Sequence, residues 1–178
     1  MGTPGPPRSV LDALVGTKVK DEKLYLRAFT HKSALKRHEG LTSSYETLEF
    51  MGDSVLGFVI TKFLFDKYEK EQEGFLTKAR TKMVRGKTLC EISKVLGLHT
   101  LILMDEKGER NGWNTNEHIM EDVFEAFMGA LFNSNGFEPC FQLMVNLLET
   151  MIDYSEKLYK DNNYKDRLLR YYHAQKWK

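Results

Sequence analysis

The 178-residue chain is 42% hydrophobic and 12% aromatic, enough to fill the core of one ordinary domain and to exclude global disorder. With Lys+Arg 26 against Asp+Glu 25 the formal net charge is +1, so no basic surplus announces a nucleic-acid partner, although balanced totals still permit a basic face beside an acidic site. Two cysteines, Cys90 and Cys140, are too few for a disulfide framework and stand in no CxxC, which points to buried thiols and a reducing compartment.

In chain order, Met1 to Arg8 is a Gly/Pro tail expected to be disordered. A short helix capped by Ser9 and a second from Lys23 to Phe29 follow, and His38 to Ser44 reads as a loop. The longest helical signal runs from about Tyr45 to Lys70, with Ser43 or Ser44 able to cap it. Leu48, Met51, Val55, Phe58, Val59 and Lys62 keep helical spacing, and the apolar content suits a central buried helix. Gly74 is expected to end it, with shorter helices at about Thr77 to Val84 and Lys87 to Leu96. Asp105 to Asn116 reads as a polar loop, Glu117 to Asn133 as a strongly apolar helix and Phe137 to Tyr159 as an amphipathic one.

After Lys160-Asp-Asn-Asn, a basic, aromatic helix is expected from Tyr164 to Trp177. Thr100-Leu-Ile-Leu-Met is the one ambiguous run, and the class is all-α. The division is therefore a tail (1–8), one domain (9–160) and a C-terminal helix (161–178). No apolar run reaches the roughly 18 residues of a membrane span, and the N-terminus lacks a signal-like core. A soluble, intracellular protein without membrane contact is expected, cytoplasm and nucleus not being distinguished.

Two helices carry acids in apolar surroundings. Glu49 and Asp53 are four apart, about 40° from each other on one helix face, and Glu46 lies a turn earlier on nearly the same line. Asp122 and Glu125, three apart, share a face of the later helix. Solvated faces would account for each pair alone. Like charges at this spacing weaken a helix unless a cation compensates them, and each pair sits beside an interior glycine, Gly52 or Gly129, that makes sense where another backbone approaches. If the helices pack, four carboxylates can converge. Such ligands suit Mg²⁺ or Mn²⁺ rather than zinc. A di-iron bundle would want Glu-x-x-His, and none of the five histidines has a glutamate three residues before it.

Tyr45-Glu-Thr-Leu-Glu-Phe-Met-Gly-Asp-Ser-Val-Leu resembles the ribonuclease III signature, and Glu121-Asp-Val-Phe-Glu-Ala-Phe-Met-Gly-Ala resembles that family's second acidic motif. Phe29-Thr-His-Lys-Ser is similar to its early Thr-His-x-Ser, and Glu73-Gly-Phe-Leu-Thr to its Glu-Gly-x-Leu-Ser/Thr block. The four motifs agree in order and spacing, and the match covers roughly residues 10 to 155. The resemblance implies an all-α, homodimeric endonuclease domain that cuts double-stranded RNA with Mg²⁺, Mn²⁺ serving as a substitute. Each subunit would cut one strand, leaving 5′-phosphate and 3′-hydroxyl ends with short 3′ overhangs. A non-catalytic relative that binds duplex RNA or acts as a scaffold is the alternative; loss of one of the four acids would mark it, and all four are present.

Carried over residue by residue, the resemblance makes Glu49, Asp53, Asp122 and Glu125 catalytic and metal-binding, with Glu46 and Glu73 as supporting acids. Phe50 matches the aromatic that the family inserts into its partner subunit, ordinary core packing being the other reading. Lys78, Lys82, Arg85 and Lys87 are candidate phosphate contacts, a solvated basic helix being the other reading. The final helix resembles the opening helix of a double-stranded RNA-binding domain, and a helix packed on the core would look the same. Four departures bear on substrate handling. Thr47 stands where the family usually has arginine, Ser44 where it often has asparagine, Glu121 where it has alanine and His118 where many members have lysine.

Overall fold

The computed structural model describes residues 5–159, with side chains described through residue 149; the expected C-terminal helix and the start of the tail lie outside the described residues. The helices are α1 (Arg8–Val15), α2 (Glu22–Ala28), α3 (Glu46–Lys67), α4 (Glu73–Met83), α5 (Gly86–Val95), α6 (Glu106–Arg110), α7 (Glu117–Asn135) and α8 (Phe137–Tyr159). Three 3₁₀ turns join them, at Lys32–Lys36, Leu98–Thr100 and Trp113–Thr115. Among the described residues the sole β-pairing is a one-residue parallel bridge between Thr30 and Leu103. The class is all-α. The ambiguous run at 100–104 thus resolves into the end of a 3₁₀ turn and that bridge. No helix among the described residues is long and apolar enough to cross a membrane.

Helix α7 is the centre. Met120, Val123, Phe124, Ala126, Phe127, Met128, Ala130 and Leu131 are all fully buried, and α2, α3, α5 and α8 pack around it. The rings of Tyr25 and Phe29 meet Phe127 at centroid distances of 6.0 and 6.1 Å, tying the N-terminal region to the same core. Burying one such aromatic contributes on the order of 2–3 kcal/mol.

Helix α3 differs from its expected burial. Leu48, Val55, Leu56, Val59, Ile60, Phe63 and Leu64 face the core, yet Phe50, Phe58 and Phe65 are 80%, 62% and 65% exposed. By contrast, the middle of α7, from Val123 to Leu131, is buried except at Glu125. The apolar content of α3 is split between a core face and an outward face, which composition alone does not separate.

Several boundaries also shift. Pro7 is the N-cap of α1, so Ser9 lies inside the helix. Neither Ser43 nor Ser44 caps α3: Tyr45 takes that position, and the Ser44 hydroxyl donates to Glu46 at 3.0 Å. The break after α3 comes at Tyr68, and Gly74 lies inside the first turn of α4. There Glu73 complements the positive helix end, and Phe75 packs edge-on against Tyr68 at 5.4 Å. The polar stretch 105–116 holds α6, capped by Asp105 accepting from Gly108 N at 2.8 Å, and the Trp113–Thr115 turn.

Candidate metal centre

The site lies where α3 crosses α7, and two glycines permit that crossing. A Cβ on Gly52 would overlap the Glu125 carbonyl oxygen and lie 3.0 Å from Gly129 N; a Cβ on Gly129 would overlap the Leu48 carbonyl oxygen. The close approach inferred from these glycines is therefore present, and each is opposed by the other helix's backbone.

At this crossing one ligand atom each from Glu49, Asp122 and Glu125 lies within 4.8 Å of the others, all three side chains being half-buried. Asp53 is exposed and falls outside that trio, one turn along α3. It is still close enough to act on it. The Glu125 carboxyl is pushed up from 4.5 to about 8, first by burial and then by Asp53, Glu121, Glu49 and Asp122. Burial, reinforced by Asp122, Glu46, Glu121 and Asp53, raises Glu49 as well; Asp122 is raised by burial against the opposing hydrogen bond from Tyr45. These acids suppress one another's ionisation, the condition a bound cation reverses.

The flanking residues are placed as follows. Glu46 is exposed, accepts from Ser44 and pairs with Lys32 at 3.5 Å. Glu73 is not brought to the trio: on α4 it accepts from Thr77 Oγ1 at 2.7 Å, beside a groove of about 180 Å³ lined by Thr61, Leu64, Phe65, Leu76 and Arg80. Glu121 does face the acids. It abuts Gly86, where a Cβ would overlap its carboxylate, and pairs with His118 at 3.8 Å. Arg85 and Lys87 flank that glycine and are exposed, as is Lys78, whereas Lys82 is half-buried. Thr47, where the resembling motif has arginine, accepts a hydrogen bond from the Arg27 guanidinium, which also donates to Ser44 O at 3.2 Å. A guanidinium thus reaches this position from α2.

One residue escaped the sequence reading. Tyr45, the N-cap of α3, is 5% exposed and its hydroxyl donates to Asp122 Oδ2 at 3.4 Å. Burial, then Asp122, drives its phenol well above the ordinary tyrosine range, so it stays a donor. A tyrosine opening an acidic motif one turn before Glu49 was the available signal.

Residues 21–151 match the Ribonuclease-III-like family. The chain belongs to that family. This ribonuclease III-like domain is 41% identical over 161 residues to the putative protein A464R of Paramecium bursaria Chlorella virus 1, covering 90% of this chain and 57% of that protein. It is 36% identical over 160 residues to a probable ribonuclease 3 of Acanthamoeba polyphaga mimivirus, covering 90% of this chain and 28% of the other. The chain therefore spans less than two thirds of the length of these relatives. The crystal structure of the nuclease domain of ribonuclease III from Campylobacter jejuni aligns with a TM-score of 0.70 at 32% identity, covering 87% of this chain and 97% of that one.

Proposed function

We propose that this ribonuclease III-like domain cleaves double-stranded RNA as a homodimer, by phosphodiester hydrolysis that depends on Mg²⁺ or, in its place, Mn²⁺. The observation that carries the reading is the convergence of Glu49, Asp122 and Glu125 within 4.8 Å at the glycine crossing of α3 and α7. The donor set fits: carboxylate oxygens alone suit hard divalent cations, and the raised Glu125 marks acids whose mutual repulsion a cation would relieve. A cation there would supply an activated water and offset charge on the leaving oxygen.

The chain's own residues divide the remaining work. Glu49, Asp122 and Glu125 hold the cation, and Asp53, one turn beyond Glu49, adds negative charge on the open side. Arg85 and Lys87, next to the glycine that touches Glu121, put positive charge beside the acids for incoming phosphates, with Lys78 and Lys82 further along α4. Duplex RNA offers mainly phosphates, shape and 2′-hydroxyls, so weak sequence preference follows. Dimerisation is supported by Phe50, Phe58 and Phe65, exposed on one helix, because apolar patches of this kind mark interfaces. It is also supported by a second structure of the Campylobacter jejuni nuclease domain, described as having a region involved in dimer formation and aligned at a TM-score of 0.72 and 34% identity. Glu73 borders the groove beside Phe65, so a supporting role for it belongs to this outward face. By family resemblance the products carry 5′-phosphate and 3′-hydroxyl ends with short 3′ overhangs.

The test is incubation of the purified chain with long duplex RNA, with and without Mg²⁺, followed by sizing of the products. Short duplexes appearing only with the metal are expected. Intact RNA recovered in a bound complex despite Mg²⁺ would refute catalysis and leave a duplex-binding relative.

A further inference from the structure

The early Phe29-Thr-His-Lys-Ser motif takes no part in the chemistry above, yet the fold ties it to the acids through one side chain. Tyr45 N donates to Thr30 O at 2.9 Å, and Thr30 is itself held by its hydroxyl donating to Leu26 O at 2.7 Å. The same segment is clamped to the chain beyond α5, His31 N donating to Leu103 O at 2.9 Å and Leu103 N to Phe29 O at 2.8 Å. His31 is 8% exposed, with its ring 6.0 Å from that of Tyr45 and 5.9 Å from that of Trp113. Ser33 N donates to His31 Nδ1 at 3.2 Å, and Ser33 Oγ, 2.9 Å from the same nitrogen, accepts from Asp105 N at 3.0 Å. The backbone and one ring face of Tyr45 are therefore fixed by a packed, hydrogen-bonded bracket.

We infer that Tyr45 is a positioning residue for the metal centre, its hydroxyl orienting the Asp122 carboxylate while the residue 29–33 segment and Trp113 hold Tyr45 in place. The inference rests on the metal-site reading of Glu49, Asp122 and Glu125. A donor on one carboxylate oxygen restricts rotation about the last torsion of Asp122 and leaves the other lone pairs for a cation. It also joins α3 to α7 one turn from Glu49, where like charges push the helices' acids apart. At 3.4 Å the bond is long for an O–H···O pair. The early motif thereby gains a physical role, since it carries the bracket that aims a ligand.

The experiment is Mn²⁺ titration calorimetry on RNA-free, chelator-treated protein: wild type, Tyr45→Phe, Asp122→Asn and the double variant. Phenylalanine keeps the ring packing and removes the donor. Tyr45→Phe should bind Mn²⁺ roughly tenfold more weakly, at the lower end for loss of a group that orients a metal ligand. The kcat for duplex RNA should fall with KM changed less than about twofold, because only the filled site is affected. In the Asp122→Asn background the same substitution should have no further effect on Mn²⁺ affinity. A Tyr45→Phe affinity within twofold of wild type would overturn the inference. So would equal losses in both backgrounds, the sign of a packing role, and this cycle discriminates even if the variant's thermal stability drops. Wild-type protein that binds no Mn²⁺ would overturn the metal reading itself, and the inference with it.

Discussion

Replacing Glu125 by glutamine separates what the carboxylate does for stability from what it does for chemistry. The Glu125 pKa moves from 4.5 to about 8 through burial and the neighbouring acids. A fully enclosed acid so displaced would cost the folded state about 5 kcal/mol when ionised. The cluster is half-open to water, and screening reduces this to about 1–2 kcal/mol. A raised carboxyl keeps its proton in the folded state while the unfolded chain has already released one. Stability is therefore fully present below pH 4.5 and is lost as pH rises toward about 8. Glutamine has nearly the same shape and never ionises. Metal-free Glu125→Gln should therefore melt roughly 3–6 °C above wild type at pH 8, with the gap closing by about pH 4.5. Mg²⁺ should raise the wild-type melting temperature at pH 8 and leave the variant almost unmoved, and cleavage of duplex RNA should fall by about 10³-fold or more. The assays are metal-free thermal melts across pH, melts at pH 8 with Mg²⁺, and single-turnover cleavage. A variant that melts no higher than wild type at pH 8, or cuts RNA within a few-fold of it, would refute the reasoning.

Gly52→Ala, whose Cβ would overlap the Glu125 carbonyl oxygen, should cost about 3 kcal/mol or more and lower the melting temperature by roughly 10 °C. Gly74→Ala, which meets nothing within 4 Å, should be neutral or slightly stabilising in the same melts. Phe50→Ala should shift light-scattering mass at micromolar concentration from about twice 20.7 kDa toward 20.7 kDa; an unchanged dimer would remove Phe50 from the interface. Replacing Lys78 and Lys87 by alanine together should weaken duplex binding and reduce the magnitude of the slope of log affinity against log salt by roughly 1–2; equal slopes would show that neither touches phosphate.

Much of the site was legible because its spacing is a property of the helix itself. Residues four apart or three apart share a face in any α-helix, so Glu49 with Asp53 and Asp122 with Glu125 could be paired before any packing was known. Gly52 and Gly129 announced the crossing for a similar local reason: a missing side chain inside an apolar helix needs an occupant for the space. Burial was less legible. Phe58 keeps the spacing of a core residue and is 62% exposed, because a helix with apolar residues all round does not say which of them meets its own chain. Gly74 was read as a break when Phe75 packing on Tyr68 holds the turn helical. The contact partners of Tyr45 and the bracket behind it were out of reach for another reason. Thr30 to Leu103 and Tyr45 to Asp122 are contacts between segments far apart in the chain, with no period to betray them.

Helix α3 carries both the candidate metal site and the outward aromatic face. At about 100° per residue, Leu48, Gly52, Val55, Leu56, Val59 and Phe63 occupy the sector that faces α7 and the core. Moving round the helix from there, Glu49, Asp53 and Glu46 come next, and Phe50, Phe65 and Phe58 follow beyond them. Around the first turns of α3 the acids therefore lie on a seam between a buried sector and an exposed aromatic one; further along, buried Ile60 and Leu64 take the same angular positions. A second subunit covering the aromatic sector would border the seam, shielding the acids from water on a side that one subunit leaves open. Lower dielectric strengthens every charge interaction in such a site. It strengthens the mutual repulsion of the acids when no cation is bound and their grip on a divalent cation when one is. If a second subunit covers that sector and a cation fills the site, dimer formation and metal binding should be coupled through α3, each tightening the other by the same factor. That reciprocity has a direct measure: Mn²⁺ should lower the dimer dissociation constant by the same ratio by which dimerisation tightens Mn²⁺ binding. A dissociation constant indifferent to Mn²⁺ would mean that the seam is already closed within one subunit.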